Sequence, residues 1–118
     1  MEFSRIDRLQ SEFVKELAAI VSGELRDQPP AMITFTRAEI TRDLKFAKIY
    51  FSAFGAEDCI DATLEYLKRH GGVIRRMIGQ RMRIRYTPEL SFHHDIATEH
   101  VMRINEILEQ IKKDEKKP

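Results

Sequence analysis

The sequence predicts one α+β domain in which a three-stranded sheet is covered by helices on one face. Some stretches alternate apolar and polar residues with the two-residue period of strands, while others repeat apolar residues every three or four positions, as helices do. Their order is helix, strand, strand, helix with a break, strand, helix. A chain of 118 residues has the usual length of one domain with a single core.

The first helix is predicted from Ser4 to about Leu25, where apolar residues recur at helical spacing over five turns. Ser4 followed by Asp7 resembles a capping box with the shorter acid. The prolines in DQPP, at 27–30, end the helix because proline has no backbone donor.

Two strands follow as a hairpin, over Met32–Thr41 and Lys45–Phe54. The apolar phase of the first strand slips near Thr36–Arg37. Because a slip of one residue moves side chains to the other face, this predicts a β-bulge.

A continuous helical stripe runs over 57–78 through two adjacent glycines, Gly71 and Gly72. Periodicity alone permits one long helix. Two interior glycines would cost that helix about 2 kcal/mol relative to alanines. We therefore predict a first helix from near 56–58, a kink at Gly71-Gly72, and a second helix that ends at Gly79.

The third strand is predicted over Met82–Phe92, where the even positions are mostly apolar. This phase places Arg83 and Arg85 on the solvent face and Tyr86 in the core, so packing is favoured for Tyr86 and base stacking is the alternative. Pro88 lies within the run, which indicates an edge position or a bulge.

The last helix is predicted over about 96–111, with an inward stripe of Val101, Ile104, Leu108 and Ile111. The domain then covers 1–111, and the charged segment 112–118 is expected to be disordered. Because no apolar stripe is left over, we expect a monomer.

Positive charge is concentrated between Lys68 and Arg85. This segment holds seven Lys and Arg and no acid, whereas the rest of the chain holds 13 Lys and Arg against 19 Asp and Glu. Such polarisation indicates a face that binds a polyanion, and a solvated helix flank is the alternative. A helix that starts at Gly72 offers free N–H groups to phosphates. The predicted binding residues are Lys68, Arg69, His70, Gly71, Gly72, Arg75, Arg76, Arg81, Arg83 and Arg85.

Other functional classes find less support. Three histidines, His93, His94 and His100, lie near acidic residues, but a strand-to-helix junction points them apart, so neither metal nor cofactor is predicted. Asp95 is more simply the N-cap of the last helix. No paired carboxylates, nucleophile with a base, or phosphate-loop motif indicates an enzyme. Neither a membrane span nor a signal peptide is evident, so a cytoplasmic location is expected.

Several blocks together resemble the ribosome-binding factor A family, namely SRIDRLQSEFVKELAAIV, ITFTRAEITRDLKFAKIYFS, GGVIRRMIGQRMRIRYTPELSFHHD and RINEIL. The resemblance implies a type II KH fold in which a helix-kink-helix with an Ala-x-Gly element replaces the usual GxxG loop. His70-Gly71-Gly72 occupies that place here, with histidine at the alanine position.

The resemblance also implies a function. Members of the family are non-catalytic factors that bind the free 30S subunit near the 5′-terminal helix of 16S rRNA. They support late maturation and processing of the 16S rRNA precursor, above all in the cold. A KH-like protein-interaction module that uses its acidic first helix and hairpin is the alternative, and salt dependence of binding separates the two.

Overall fold

The computed structural model describes residues 4–55 and 59–115. The elements are α1 (Arg5–Gly23), β1 (Met32–Ile40), β2 (Phe46–Phe54), α2 (Cys59–Arg69), α3 (Gly71–Met82), β3 (Glu89–His94) and α4 (Ile96–Glu115). Their order is the predicted one, and the α+β class is confirmed. The predicted start of the fourth segment, near 56–58, lies outside the described residues. None of the described helices is long and apolar enough to span a membrane.

Helix α1 is fixed at its start by the predicted capping box. The Ser4 hydroxyl accepts a hydrogen bond from the Asp7 N–H, and the Asp7 carboxylate accepts one from the Ser4 N–H, each at 3.1 Å. The apolar stripe of α1 is fully buried at Phe13, Leu17 and Ile20, and the helix packs on β1. Each such side chain typically contributes about 1.5–3 kcal/mol when it leaves water, so α1 is a main source of stability.

The sheet has the strand order β1-β2-β3, with β1 antiparallel and β3 parallel to β2. The predicted bulge is confirmed between Phe35 and Arg37. The hydroxyl of the bulged residue, Thr36, donates a hydrogen bond of 2.6 Å to the carboxylate of Asp95, which directly precedes α4 and is 3% exposed. The bulge thus joins the edge strand to the start of the last helix.

The third strand is shorter than predicted. The prediction of strand from Met82 onward is wrong, because α3 continues to Met82 and β3 begins only at Glu89. Glu89 pairs with Phe46, the first residue of β2. Earlier residues of a parallel β3 would need partners before Phe46, where the chain has already turned out of the sheet. Residues 83–88 therefore form a connecting segment, and Arg83 and Arg85 do not lie on a strand.

Helix α4 does not bury its apolar stripe. The side chains predicted to point inward are about half exposed, with Val101 and Ile104 at 57%, Leu108 at 52% and Ile111 at 47%. The helix also continues to Glu115, through the first residues of the predicted tail. The inward orientation is therefore wrong, and so is the reason for expecting a monomer, because an apolar stripe is left over.

Candidate nucleic-acid interface

The break between α2 and α3 lies at His70, one residue before the predicted glycine pair. His70 has φ −93° and ψ 3°, and α3 begins at Gly71. The two helices share this residue for their backbone hydrogen bonds, since its N–H donates to the Tyr66 carbonyl and its carbonyl accepts from the Ile74 N–H. The prediction of two helices rather than one is confirmed.

The side chain of His70 is turned into the protein. It is 14% exposed, its ring centroid lies 4.5 Å from that of Tyr66, and its Nε2 lies 3.4 Å from Oδ2 of Asp27. The Tyr66 hydroxyl donates a 2.7 Å hydrogen bond to the Asp27 carbonyl. Burial, with the charge of Asp27 beside it, raises the pKa of Tyr66. His70 therefore holds the break between the helices against Asp27, which lies in the segment that connects α1 to β1, and its role in RNA binding stays a prediction.

Gly71 and Gly72 are not required by the protein's own packing. No described glycine has a positive φ, and a Cβ added at either position would meet nothing within 4 Å. The missing side chains instead leave the outer surface of the helix start open. A sugar–phosphate backbone can come close to such a surface and to the free N–H groups of the first turn.

A cleft of about 370 Å³ lies beside this helix start. One wall comes from α3 and the other from the connecting segment 83–88. Four predicted binding residues meet in the cleft, and two residues outside that predicted set join them. The lining residues are Gly72, Arg75, Arg76, Arg85, Tyr86 and Thr87.

Two of the predicted arginines are held by the protein itself. Arg75 donates from Nε to the Pro88 carbonyl at 3.1 Å and from a terminal nitrogen to the Thr87 carbonyl at 2.7 Å, which fastens the connecting segment to α3. Arg81 forms ion pairs with Glu16 of α1, at 2.8 Å, and with Glu24, which directly follows α1. Arg75 therefore helps to build the cleft and Arg81 ties α3 to the end of α1, whereas Arg76 and Arg85 line the cleft without a hydrogen bond or ion pair to a described residue.

Gly79 explains how closely the two walls approach each other. This residue lies inside α3, so the prediction that it ends the helix is wrong. A Cβ at this position would collide with the Thr87 hydroxyl. The helix ends instead at Met82, and the next residue, Arg83, has a φ of 52°, the left-handed conformation common after helix ends. Glycine is thus used here for close approach rather than for a turn.

The remaining predicted residues lie outside the lining of the cleft. Lys68 and Arg69 are exposed in the last turn of α2, and Arg83 is exposed at the end of α3. Gly71 is half-buried at the helix start. These four residues therefore do not form the walls of the cleft.

Tyr86 was assigned to the core by its phase, and this assignment is wrong, since the residue is 74% exposed. The guanidinium carbon of Arg85 lies 5.6 Å from the centroid of its ring. The signal that could have identified Tyr86 is Pro88, because a proline that interrupts an alternating run weakens the strand assignment of the residues before it.

The histidines near β3 do not assemble a metal site within the described part of the chain. Across residues 4–55 and 59–115, no group of three His, Cys, Asp or Glu side chains could hold a metal ion. His93 instead approaches Ser91 Oγ at 3.0 Å and the ring of Tyr50 at 5.6 Å.

Comparison with known proteins gives one family. The family model of ribosome-binding factor A matches residues 5–108. A ribosome-binding factor A of Clostridium tetani is 41% identical over 112 residues, which are 94% of this chain and 93% of that protein.

Two solved structures support the fold. The crystal structure of ribosome-binding factor A from Thermus thermophilus has a TM-score of 0.67 at 22% identity, over 77% of this chain and 97% of that one. Coordinates of the Thermus thermophilus factor fitted into an electron-microscopy map of its 30S complex give 0.62 at 24% identity, over 75% and 93%.

Proposed function

Because the chain belongs to the ribosome-binding factor A family, we propose that it binds the 30S ribosomal subunit through 16S rRNA. The Thermus thermophilus relative fitted into a map of a 30S complex supports the choice of partner. The contact surface is the cationic cleft between α3 and the connecting segment.

The observation that favours this contact is that some arginines of the cleft are bonded within the protein while others are not. Arg75 donates hydrogen bonds to the far wall of the cleft, while Arg76 and Arg85 line the two walls without a hydrogen bond or ion pair to any residue in the described part of the chain. Guanidinium groups bind phosphate oxygens in a bidentate way, and the start of α3 adds its free N–H groups. The cleft therefore suits the phosphates of an RNA chain.

The proposed cellular role is the one that membership of the ribosome-binding factor A family implies. The factor associates with the free 30S subunit late in maturation, near the 5′-terminal helix of 16S rRNA, and supports processing of the precursor. It acts by binding and release without catalysis, in the cytoplasm, and matters most in the cold.

Co-sedimentation with purified 30S subunits, followed by chemical footprinting of 16S rRNA, tests the proposal. The wild type is expected to sediment with 30S and to protect a local segment near the 5′-terminal helix. Arg76→Ala/Arg85→Ala should lose this protection. Failure of the folded wild type to bind 30S would reject the proposed function.

A protein-interaction module is the second candidate, and the exposed apolar stripe of α4 is the observation that favours it. The acidic surface of α1 is partly neutralised, since Glu16 and Glu24 pair with Arg81. Binding that is insensitive to salt would favour this candidate, because phosphate contacts weaken steeply as salt rises. The monomeric state stays a prediction, for which sedimentation equilibrium should give a mass near 13.9 kDa.

A further inference from the structure

Arg85 and Tyr86 separate two hollows of opposite chemistry. On one side lies the cationic cleft described above. On the other side is a hollow of about 210 Å³ whose walls are mostly apolar, formed by Leu9, Leu44, Ile84 and Pro88 with Asp43 beside them. Because Arg85 and Tyr86 line both, a ligand with one charged and one flat apolar part could occupy the two hollows together.

Tyr86 presents an aromatic ring between these hollows. Its 74% exposure shows that it is not needed for the core, although large aromatic side chains are usually buried. Arg85 lies within cation–π distance of the ring, at 5.6 Å, so a cation and an aromatic surface stand next to each other. Nucleic-acid-binding proteins stack unpaired bases on such aromatic rings, while neighbouring cations follow the backbone.

Asp43 places a negative charge beside the apolar hollow. Its carboxylate accepts hydrogen bonds from the Thr41 hydroxyl at 2.6 Å and from the Lys45 N–H at 3.1 Å. These bonds, led by the Thr41 hydroxyl, lower the pKa of Asp43, so the group is ionised at neutral pH. A carboxylate repels phosphate. The phosphate must therefore lie in the cationic cleft, and the apolar hollow is left to the base.

We propose that this site takes one unpaired nucleotide of an RNA chain, with its base stacked on Tyr86 beside the apolar hollow and its phosphate held by Arg76 and Arg85. The inference rests on the proposed function and specifies which form of RNA the cleft binds. A base inside a continuous duplex has both faces covered by its neighbours and cannot reach Tyr86. The site therefore selects single-stranded or unpaired RNA over duplex.

The test compares a fluorescein-labelled oligoribonucleotide of mixed sequence with the same strand annealed to its complement, by fluorescence anisotropy at one salt concentration. The proteins are the full-length wild type, Tyr86→Phe and Tyr86→Ala. We expect Tyr86→Ala to weaken single-strand binding by about 5- to 150-fold, the range reported for loss of one stacking contact. Duplex affinity should not change, and Tyr86→Phe should bind as the wild type does. Because Tyr86 is exposed, all three should melt at similar temperatures.

The outcomes distinguish failure of the stacking site at Tyr86 from failure of the proposed binding to 30S. If Tyr86→Ala binds the single strand as tightly as the wild type, or loses equally on strand and duplex, the stacking site is rejected. The proposed function would still stand if Arg76→Ala/Arg85→Ala lost affinity for 30S. A folded wild type that binds neither the oligoribonucleotides nor 30S would reject both.

Discussion

Two pairs of arginines in one short segment of the chain differ in whether their guanidinium groups bind other groups of the protein. Arg75 and Arg81 direct their guanidinium groups at backbone carbonyls and at carboxylates of the protein itself. Arg76 and Arg85 are exposed and line the cleft. Arg75 and Arg76 are neighbours in sequence, yet the first holds the shape of the cleft and the second supplies its free charge.

The difference shows that a basic segment cannot be counted as one binding surface. An arginine bonded within the protein has fewer N–H donors left for a ligand, whereas an arginine without such bonds can offer all of its donors to phosphates. Substitutions can separate the two kinds, because the first should change stability and the second should change the salt dependence of binding.

Arg75→Ala is expected to have the largest effect on stability. Loss of its two hydrogen bonds leaves the carbonyls of Thr87 and Pro88 without their charged donor. Hydrogen bonds to charged groups are worth about 1.5–3 kcal/mol, so we expect a loss in this range in urea denaturation. Arg76→Ala is the matched control and should change stability by no more than about 0.5 kcal/mol. Equal stability of the two variants would contradict the structural role of Arg75.

Arg76→Ala/Arg85→Ala should change binding while the fold stays intact. Each phosphate contact contributes about 0.7 to 0.9 to the slope of log affinity against log salt, so removal of two contacts should flatten the slope by about 1.4 to 1.8. A salt titration of 30S binding measures this slope. Lys15→Ala/Lys48→Ala removes the same charge from exposed positions outside the cleft lining and should leave the slope nearly unchanged. Similar slopes for the two double variants would show that 30S affinity depends on the net charge of the protein and not on charge at the cleft.

Gly79→Ala tests how the two walls of the cleft are fitted together. In a helix interior this change normally stabilises by about 1 kcal/mol, but here the new methyl group meets the Thr87 hydroxyl. We expect the variant to be no more stable than the wild type, and to become stabilising once Thr87→Ala removes the obstacle. Thermal denaturation of the four proteins in this cycle gives the coupling. If the stability changes of Gly79→Ala and Thr87→Ala were additive, the new methyl group would not be colliding with the Thr87 hydroxyl.

Arg83→Gly should have the smallest effect, with the opposite sign. Arg83 adopts a left-handed conformation that glycine adopts without steric cost, so the free energy of unfolding should rise by about 0.5–1 kcal/mol. Arg83→Ala removes the same charge and keeps the strain, which makes it the control for both denaturation and 30S binding. If the glycine variant is less stable than the alanine variant, relief of strain at this helix end is not the dominant effect.

The parts of the fold that sequence predicted well are those fixed by local patterns. The capping box at Ser4 and the bulge after Phe35 depend on residues close in sequence, and the structure has both. The length of β3 depends on where β2 begins, which the alternation within 82–92 does not contain. Similarly, the spacing of apolar residues in α4 describes one face of a helix but does not say whether another surface covers it.

The sequence predicted several residues of the candidate site but not how their side chains are arranged. The charge count located the segment, and Gly72, Arg75, Arg76 and Arg85 do meet in one cleft. The sequence could not show that Arg75 is occupied by carbonyls of 87 and 88, because that contact requires the connecting segment to fold back onto α3. Tyr86 was assigned to the core rather than to base stacking for the same reason.

The parallel pairing of β2 with β3 has a consequence for folding and for ligand linkage. Both walls of the cleft belong to the crossover that connects these two strands, and this crossover is closed only when Phe46 of β2 has paired with Glu89 of β3, far apart in sequence. An unfolded chain therefore has no preformed cleft, and RNA that binds the native state must shift the folding equilibrium. At a free RNA concentration of 100 times Kd, the native state would gain about 2.7 kcal/mol, so occupancy of the cleft by RNA should itself protect the domain against unfolding.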